Sequence, residues 1–530
     1  MTATATQRAN SFRDSLQRQG KLKWIIAFTA SFGALLEVLD SSIVNVALTD
    51  MQSSFGATLS QIGWIVTGYA IANVIMIPLT AWLGDRFGKK RYFVFSLAGF
   101  TLASMACGVA PNLGLLITAR IIQGLLGGGL LAKGQSILFE TFPPAEQGLA
   151  QALFGVSMIS GPAIGPTLGG YLTDTLGWRW IFFINLPVGI LAVLMALVFL
   201  HPDDHTQPVT VPKVDWWGIG FLALALGSFQ VFLEEGESNS WFQSPFIAWM
   251  AIAAAVGFVL FVWQELRIRH PAVDLRVLRY RSLAAGSIFS MVVGLGLYGT
   301  LFVIPIYAQR VLQYTAMQTG LLLLPGAIAS AITMLTMGRF TSKIDARLMI
   351  SIGSVMTALV MFNLATLNPS TSADTLFLPL VVRGASIVLM FLPLTLATIS
   401  PLPKRDIPAG TGFYNLTRQL GGSIGIAALS TILDRRETFH RAILSDGVSL
   451  YNSQTQQRLQ ALTAAMQSKG ADPTTAKQQA LALLDQTVNL QATLLAYEDM
   501  FRIVGWVFLV TLPLVFLLGK GKSKPAPGSH

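Results

Sequence analysis

The chain is poor in the residues that most enzymes depend on. It holds a single cysteine, Cys107, so no disulfide closes within it and no multi-thiolate metal site is available. Its five histidines, His201, His205, His270, His440 and His530, are scattered over expected loops and the tail and form no ligand cluster. No GxxxxGK[ST] loop occurs, which argues against direct coupling to ATP. No nucleophile elbow occurs either. The reading is of a protein that is not an enzyme and needs no metal or cofactor. Charge is scarce too. Only 12% of the residues are charged, against roughly 25% in a soluble domain. A soluble chain of this length would divide into several domains with polar surfaces between them, and this composition does not provide for that.

What it does have is apolar sequence, 53% of the chain, in long runs divided by short polar loops. About 20 mostly apolar residues cross roughly 30 Å of hydrocarbon. Qualifying runs fall at about 24–48, 62–83, 92–110, 113–138, 148–172 and 179–200. Two more follow at 216–234 and 245–265, then 282–308, 317–338, 346–366, 376–400, 408–433 and 498–519. They are too long for barrel strands and do not alternate polar with apolar, so they are expected to be helices. The chain is thus expected to be an all-α polytopic membrane protein with fourteen transmembrane helices. The polar, basic residues 1–23 precede a full-length run, which reads as a retained first span rather than a cleaved signal.

The net charge of +10 does not point to nucleic acid, because Lys and Arg gather in alternate loops. With the N-terminus inside, the inside segments hold Arg8, Arg13, Arg18, Lys21 and Lys23, then Arg86 to Arg91, Lys213, Arg267 to Arg281, Arg339 to Arg347, Lys404, Arg405 and the tail lysines. The short outside loops hold Arg179 and Arg310. This is the charge bias of membrane orientation, with both termini cytoplasmic. The expected organisation is a cytoplasmic segment 1–23, a six-helix bundle 24–200, an inserted helix pair with linkers over 201–281, a second six-helix bundle 282–519 and a cytoplasmic tail 520–530. Within the second bundle, residues 434–497 form a long outside loop. Leu459, Leu462 and Met466, then Ala480, Leu483, Leu484 and Leu490, recur at helical spacing around a break at Gly470, Asp472 and Pro473. That predicts an extracytoplasmic helical hairpin, either a cap or a docking surface.

Leu83–Arg91 (LGDRFGKKR) and Gly338–Arg347 (GRFTSKIDAR) are related basic loops in corresponding positions, so the chain is internally repeated. Repeats of this kind place a substrate site between the halves near the midplane. Glu37 and Asp40 lie three residues apart in the first run, on one helix face. A charge there costs about 2.5–3.5 kcal/mol on insertion scales, and intramembrane acids are candidates for proton relays. Arg120 in the fourth run is a permanent charge suited to modulating one of them, and Lys133 further along is expected to snorkel to the interface. Gly161, Gly165 and Gly169, with Ser157, recur every four residues and make a smooth stripe for helix packing, while Pro162 and Pro166 bend the helix.

These motifs resemble the major facilitator superfamily in its fourteen-span drug:proton antiporter branch, and within it the EmrB-type pumps. The resemblance covers nearly the whole chain. Leu39–Leu48 (LDSSIVNVAL) is similar to the branch's first-helix signature, Arg120–Gly124 (RIIQG) to its RxxQG motif, and Gly155–Gly170 to the exporters' antiporter helix. Gly412–Gly422 matches the corresponding helix of the EmrB-type pumps. Asp85, Arg86, Gly88, Lys89 and Lys90 match the superfamily's loop signature, with Ala81 where a glycine is usual. The resemblance implies the major facilitator fold and a conformational role for that loop and for Gly161, Pro162, Gly165, Pro166, Gly169 and Gly170. It implies proton coupling through Asp40, Glu37 and Arg120, with the proton as coupling ion, and export of hydrophobic or amphipathic drugs across a bacterial inner membrane. It also implies an EmrA-type periplasmic adaptor and a TolC-type outer-membrane channel as partners, beside a small-molecule substrate and membrane lipid. Candidate substrate contacts are Trp64, Tyr69, Asn73, Gln123, Tyr298, Tyr307, Tyr414, Asn415, Arg418 and Arg383, the last pointing to anionic cargo. Two other readings stay open. One is an exporter of a metabolite, siderophore or lipid on the same fold, and the other is a membrane receptor or structural subunit that does not transport.

Overall fold

A computed structural model describes residues 15–201, 214–341, 343–368, 371–449 and 451–518. The basic residues before position 15, Lys213 and the tail 520–530 lie outside them. Numbering the longer helices in chain order gives α1 Leu22–Val46, α2 Leu59–Phe87, α3 Lys89–Gly108, α4 Leu113–Gly127, α5 Leu130–Thr141, α6 Pro144–Leu176 and α7 Asn185–Phe199. Then come α8 Trp216–Glu235, α9 Pro245–Arg267, α10 Arg281–Arg310, α11 Ala316–Phe340 and α12 Ala346–Leu364. The last are α13 Ala373–Ile399, α14 Ile407–Gly447, α15 Ser453–Ser468 and α16 Pro473–Val510.

Each of the fourteen apolar runs is largely helical, the fourth across the break between α4 and α5, but twelve spans among the described residues are long and apolar enough to cross a membrane. The two that fall short are α3 and α14. The first opens on Lys89, Lys90 and Arg91, and the second carries Asn415, Arg418, Gln419 and a charged run from Asp434. Helix ends follow ordinary capping chemistry. Thr58 caps α2 and Thr315 caps α11, each in a reciprocal box with the glutamine three residues on. Gly88, at φ +90°, makes the turn between α2 and α3 in a conformation that side chains avoid.

Two sets of helices repeat the same neighbours. In the first, α1 packs on α6, α2 on α4, and α3 on α4 and α7; in the second, α10 packs on α14, α11 on α13, and α12 on α13 and α16. The sets meet through α6 against α11 and through α2 against α14. Helices α8 and α9 pack on each other, and α8 touches both α2 and α14. These contacts are close because small residues face each other. A Cβ on Gly148 would meet the Gly338 carbonyl at 2.5 Å, and one on Gly320 would meet Thr167 Oγ1 at 2.2 Å.

The 434–497 segment is helical almost throughout. Helix α14 runs on past residue 434 to Gly447, α15 packs on α16, and α16 continues from Pro473 without a break into the last apolar run. The two long helices are tied by Asp499, whose Oδ2 accepts from Arg436 Nε at 2.6 Å and lies 2.8 Å from His440 Nε2. Thr493 donates to Glu437 at 2.7 Å. Asp472 caps α16 by accepting from the amides of Thr474 and Thr475, both at 3.1 Å.

Candidate functional site

Asp40 is fully buried on α1, and its carboxylate is completely committed. Arg120 Nη1 lies 2.5 Å from Oδ2, while Gln123 Nε2 and Asn185 Nδ2 donate to Oδ1 at 2.9 and 2.8 Å. Arg120 is itself 1% exposed. Its remaining donors reach Gln123 Oε1 at 2.8 Å and the Ile65 carbonyl at 3.3 Å, and its guanidinium lies 4.2 Å from the centre of the Tyr69 ring. Arg120 and Gln123 are one turn apart on α4, so the RxxQG spacing delivers both to one carboxylate. Asn185, at the start of α7, also donates to Ser104 Oγ at 3.0 Å.

Glu37, one turn earlier on α1, has different partners. Asn73 Nδ2 donates to Oε1 at 2.9 Å, and the backbone amide of Leu131 donates to Oε2 at 2.7 Å. That amide is free because the helix breaks between α4 and α5. Gly128 is extended and Gly129 sits at φ +76°. A Cβ on Gly129 would meet Thr80 Cγ2 at 2.2 Å, so α2 is packed directly against the break. The first amides of α5 have no helical acceptor, and a carboxylate satisfies one of them. The two acids expected on one face therefore do share it, but each has its own donors.

Lys133 does not snorkel. It is 7% exposed, donates to Ser96 Oγ at 2.6 Å and lies 3.3 Å from the centre of the Tyr92 ring. Its helix continues the broken one and turns it inward. On α14, Arg418 Nη2 donates to Asn415 Oδ1, whose amide donates to Gln135 Oε1 at 2.7 Å. Gln135 in turn donates to Gln151 at 3.4 Å. A polar chain thus joins α14 to α5 and α6 across the two sets of helices. Tyr414 is buried and shares a hydrogen bond with Thr395 at 2.8 Å.

The antiporter-like helix α6 is one continuous element through Pro162 and Pro166. Its glycines set the distance to α1. A Cβ on Gly161, Gly165 or Gly169 would lie 3.0 Å or less from Leu39 N, Ser42 Oγ or Ile43 Cγ1. Gly170 has room, its nearest neighbour being Val46 at 4.0 Å. The opposite face carries Gly155, against Met334 of α11. At the turn from α2 to α3, Lys89 holds both oxygens of Glu140 at 2.8 Å, Lys90 donates to the carbonyls of Leu197 and Leu200, and Arg86 lies 5.6 Å from the Trp82 ring centre. Asp85 is exposed at the end of α2.

Between the two sets lies a small, mostly apolar cavity. One wall is Val38, Met158, Ile159 and Pro162; the other includes Tyr298, Leu380, Arg383 and Phe391. Of the sequence-predicted substrate residues, Tyr298 and Arg383 line it. Asn73 and Gln123 belong to the carboxylate clusters, Tyr69 stacks on Arg120, and Asn415 and Arg418 form the polar chain. Trp64 is half-buried on α2. Tyr307 packs against Tyr497, with ring centres 5.4 Å apart, away from this cavity.

The motifs now have relatives to set beside them. The Major Facilitator Superfamily model matches residues 30–426. The multidrug export protein EmrB of Escherichia coli K12 is 34% identical over 493 residues, which is 93% of this chain and 94% of that one. The chain belongs to the Major Facilitator Superfamily, in its EmrB-type multidrug efflux family. The fatty acid resistance protein FarB of Neisseria gonorrhoeae is 31% identical over 497 residues, 94% of this chain and 96% of FarB. The crystal structure of the human organic anion transporter MFSD10 superposes with a TM-score of 0.55 over 92% of this chain and 99% of that chain, at 12% identity, a likeness of fold alone. As a Major Facilitator, the protein is a multi-pass inner-membrane carrier related to efflux proteins, and not an enzyme.

Sequence reasoning missed Asn185, Ser104, Gln135 and Gln151. The signal was there in part, since Asn185 is a lone amide in an apolar run. It also passed over Glu234 and Glu235 on α8. Gln230 donates to Glu234 Oε1 at 2.6 Å, and Asn239 donates to the Glu235 carbonyl at 2.9 Å.

Proposed function

We propose that this EmrB-type protein is a proton-coupled antiporter that exports hydrophobic or amphipathic compounds by alternating access. The observation that carries the reading is the environment of Asp40. It is a fully buried carboxylate held by Arg120, Gln123 and Asn185, on a helix that packs on the glycines of α6. When Asp40 is charged, the ion pair locks α1 to α4. When it takes a proton, the attraction to Arg120 falls away and the pair's low-dielectric surroundings make the difference large. Glu37 is a second acceptor on the same helix, one turn away.

The matched helix pairings support two six-helix bundles with α8 and α9 inserted between them, fourteen spans in all once α3 and α14 are counted. The bundles rock about the cavity, as carriers built from internal repeats do. A proton from outside neutralises Asp40 or Glu37 as substrate leaves outward, and the return step releases it inside. The extension formed by α14, α15 and α16 is the surface on which a periplasmic adaptor of the EmrA type would dock, in line with an outer-membrane channel of the TolC type.

The test is efflux from proteoliposomes under an imposed pH gradient. Gradient-driven efflux is expected for the native protein and its loss for Asp40→Asn, with folding checked by size exclusion. Gradient-independent efflux by the native protein would overturn the coupling, and normal efflux by Asp40→Asn would remove Asp40 from it.

A further inference from the structure

The pair α8 and α9 carries two acids that the proposed coupling does not use. Asp215 stands just before α8 and caps it. Its Oδ1 accepts from the Gly218 amide and from Gln264 Nε2, both at 2.9 Å. Glu265 lies in the last turn of α9, and its Oε2 accepts from the Val273 amide at 3.3 Å. Asp215 is 5% exposed and Glu265 1%. Each has a second oxygen, Asp215 Oδ2 and Glu265 Oε1, that is buried without a hydrogen-bond partner. Those two oxygens meet beside Gly218. A Cβ on that glycine would lie 2.3 Å from Asp215 Oδ2 and 2.6 Å from Glu265 Oε1, so the oxygens are no further apart than those two distances laid end to end.

No ion pair to either acid is found among the described residues. The charges that bear most on Glu265 are those of Asp215 and Asp274, both negative. The basic groups nearby are turned elsewhere. Arg267 lies over the Trp263 ring at 5.1 Å, and Arg276 donates to the Ile268 carbonyl at 3.0 Å. Arg269 and His270 are exposed along the groove outside Asp215, and Lys213 lies outside the described residues. Two carboxylates cannot stand this close in a dry site, because burial and mutual repulsion both oppose the second charge. A single hydrogen removes both costs. It turns two orphaned acceptors into one charge-assisted O–H···O bond, among the strongest a protein makes. The proton belongs on Glu265. Asp215 already has two donors and sits at a helix N-terminus, where negative charge is favoured. Glu265 is buried more deeply and has one long bond.

We infer that Glu265 holds a proton on Oε1 and donates it to Asp215 Oδ2, a proton site built into the inserted pair and separate from Asp40 and Glu37. The site steadies the joint between α9 and α10. Through Oε2, Glu265 holds Val273, and Ala272 and Val273 are buried in one cluster with Val74 and Ile77 of α2, Leu222 of α8 and Leu416 of α14. The proton thus fixes the segment that leads from the inserted pair into the second set of helices, at a place where both sets touch it. Gly218 is required because any side chain there would occupy the space in which the two oxygens meet.

The test compares infrared difference spectra of the full-length protein and Glu265→Gln, both in nanodiscs at neutral pH. The variant is expected to lose the carbonyl stretch of one protonated carboxyl and to keep the carboxylate bands of the native protein. Loss of a carboxylate band instead would show Glu265 ionised and overturn the inference. Melting temperatures supply a second reading. Glutamine offers an N–H where the acid offers its O–H, so Glu265→Gln is expected to melt near the native protein. Glu265→Met, which leaves Asp215 Oδ2 bare, and Gly218→Ala are expected to melt lower. A Glu265→Gln protein no more stable than Glu265→Met would count against the donated hydrogen. A third reading needs no variant. Replacing sodium or potassium chloride with N-methylglucamine chloride at fixed ionic strength is expected to leave the native melting temperature unchanged. A melting temperature that rises with either alkali cation, and does not in Glu265→Gln, would put a metal cation between the oxygens in place of the proton.

Discussion

At the scale of single residues, the buried charges are organised by what each can be answered with. Arg120 and Asp40 form a pair whose remaining valences go to Gln123, Asn185 and the Ile65 carbonyl. Removing one member strands the other, which costs about 3–5 kcal/mol for a buried pair. Arg120→Ala is therefore expected to lower the melting temperature in detergent sharply, and Arg120→Ala with Asp40→Asn to recover much of the loss. Arg120→Lys is expected to fall short of the native protein, because an ammonium lacks the fork that reaches Asp40 and Gln123 together. A melting temperature unchanged in Arg120→Ala would contradict the pairing. Much of this cluster was readable in the sequence. An acid or an arginine in an apolar run stands out because its burial is expensive. Asn185, Ser104 and Gln135 did not stand out, because short neutral polar residues sit in membrane helices at little cost. Lys133 was misread since a lysine near a helix end usually snorkels, and the inward turn at Gly128 and Gly129 depends on backbone conformation.

At the scale of elements, α6 is pinned to α1 by glycines and α16 is started by an aspartate. Gly165→Val adds a Cβ at a point only 2.6 Å from Ser42 Oγ, with further side-chain atoms beyond it. It is expected to push the helices apart and lower both melting temperature and efflux, whereas Gly170→Ala, with space around it, is expected to leave both near native. Equal effects at the two positions would remove the close-packing account. In the polar 434–497 segment, Asp472 is held down to about 2 by hydrogen bonds from Thr475 first and Thr474 second. A carboxyl held below its ordinary value contributes stability above that value and loses it as pH falls through the lowered one. Protection of the Thr474 and Thr475 amides from hydrogen exchange is thus expected to hold above about pH 4, ordinary for aspartate, and to fall toward pH 2. Asp472→Ala is expected to expose both amides at neutral pH. The helix period and the Gly470–Pro473 break are legible in the sequence of this segment. They do not tell that α14 and α16 each run unbroken from apolar into polar sequence, since the polar residues after 433 read as loop until a partner helix buries one of their faces.

At the scale of the whole molecule, the matched pairings make the two sets of helices interchangeable in plan while their chemistry differs. The charged pair sits in the first, and Arg383, at the cavity, in the second. The repeat was visible in the sequence only in the two basic loops, because helix pairing is carried by small residues and shape, which drift without changing the plan. The helical extension formed by α15 and the ends of α14 and α16 has no counterpart in the first set among the described residues. Replacing residues 442–490 with a short Gly-Ser linker keeps Arg436, His440 and Asp499. The shortened protein is expected to remain folded and to transport in proteoliposomes, while losing crosslinks to a periplasmic adaptor. Crosslinking that survives would make the extension a cap.

The break at Gly128 and Gly129 gives Glu37 a second duty. Its carboxylate is the acceptor that the opening turn of α5 needs, through the Leu131 amide. On the proposed coupling, a proton on Glu37 would weaken that acceptor and with it the anchoring of a 12-residue helix. Further along, that helix carries Lys133, Gln135 and Glu140, and through them touches α3, at Ser96 and Lys89, and α14. If the coupling proton goes to Glu37, as proposed, its titration and the position of α5 meet at one peptide nitrogen, beside two glycines.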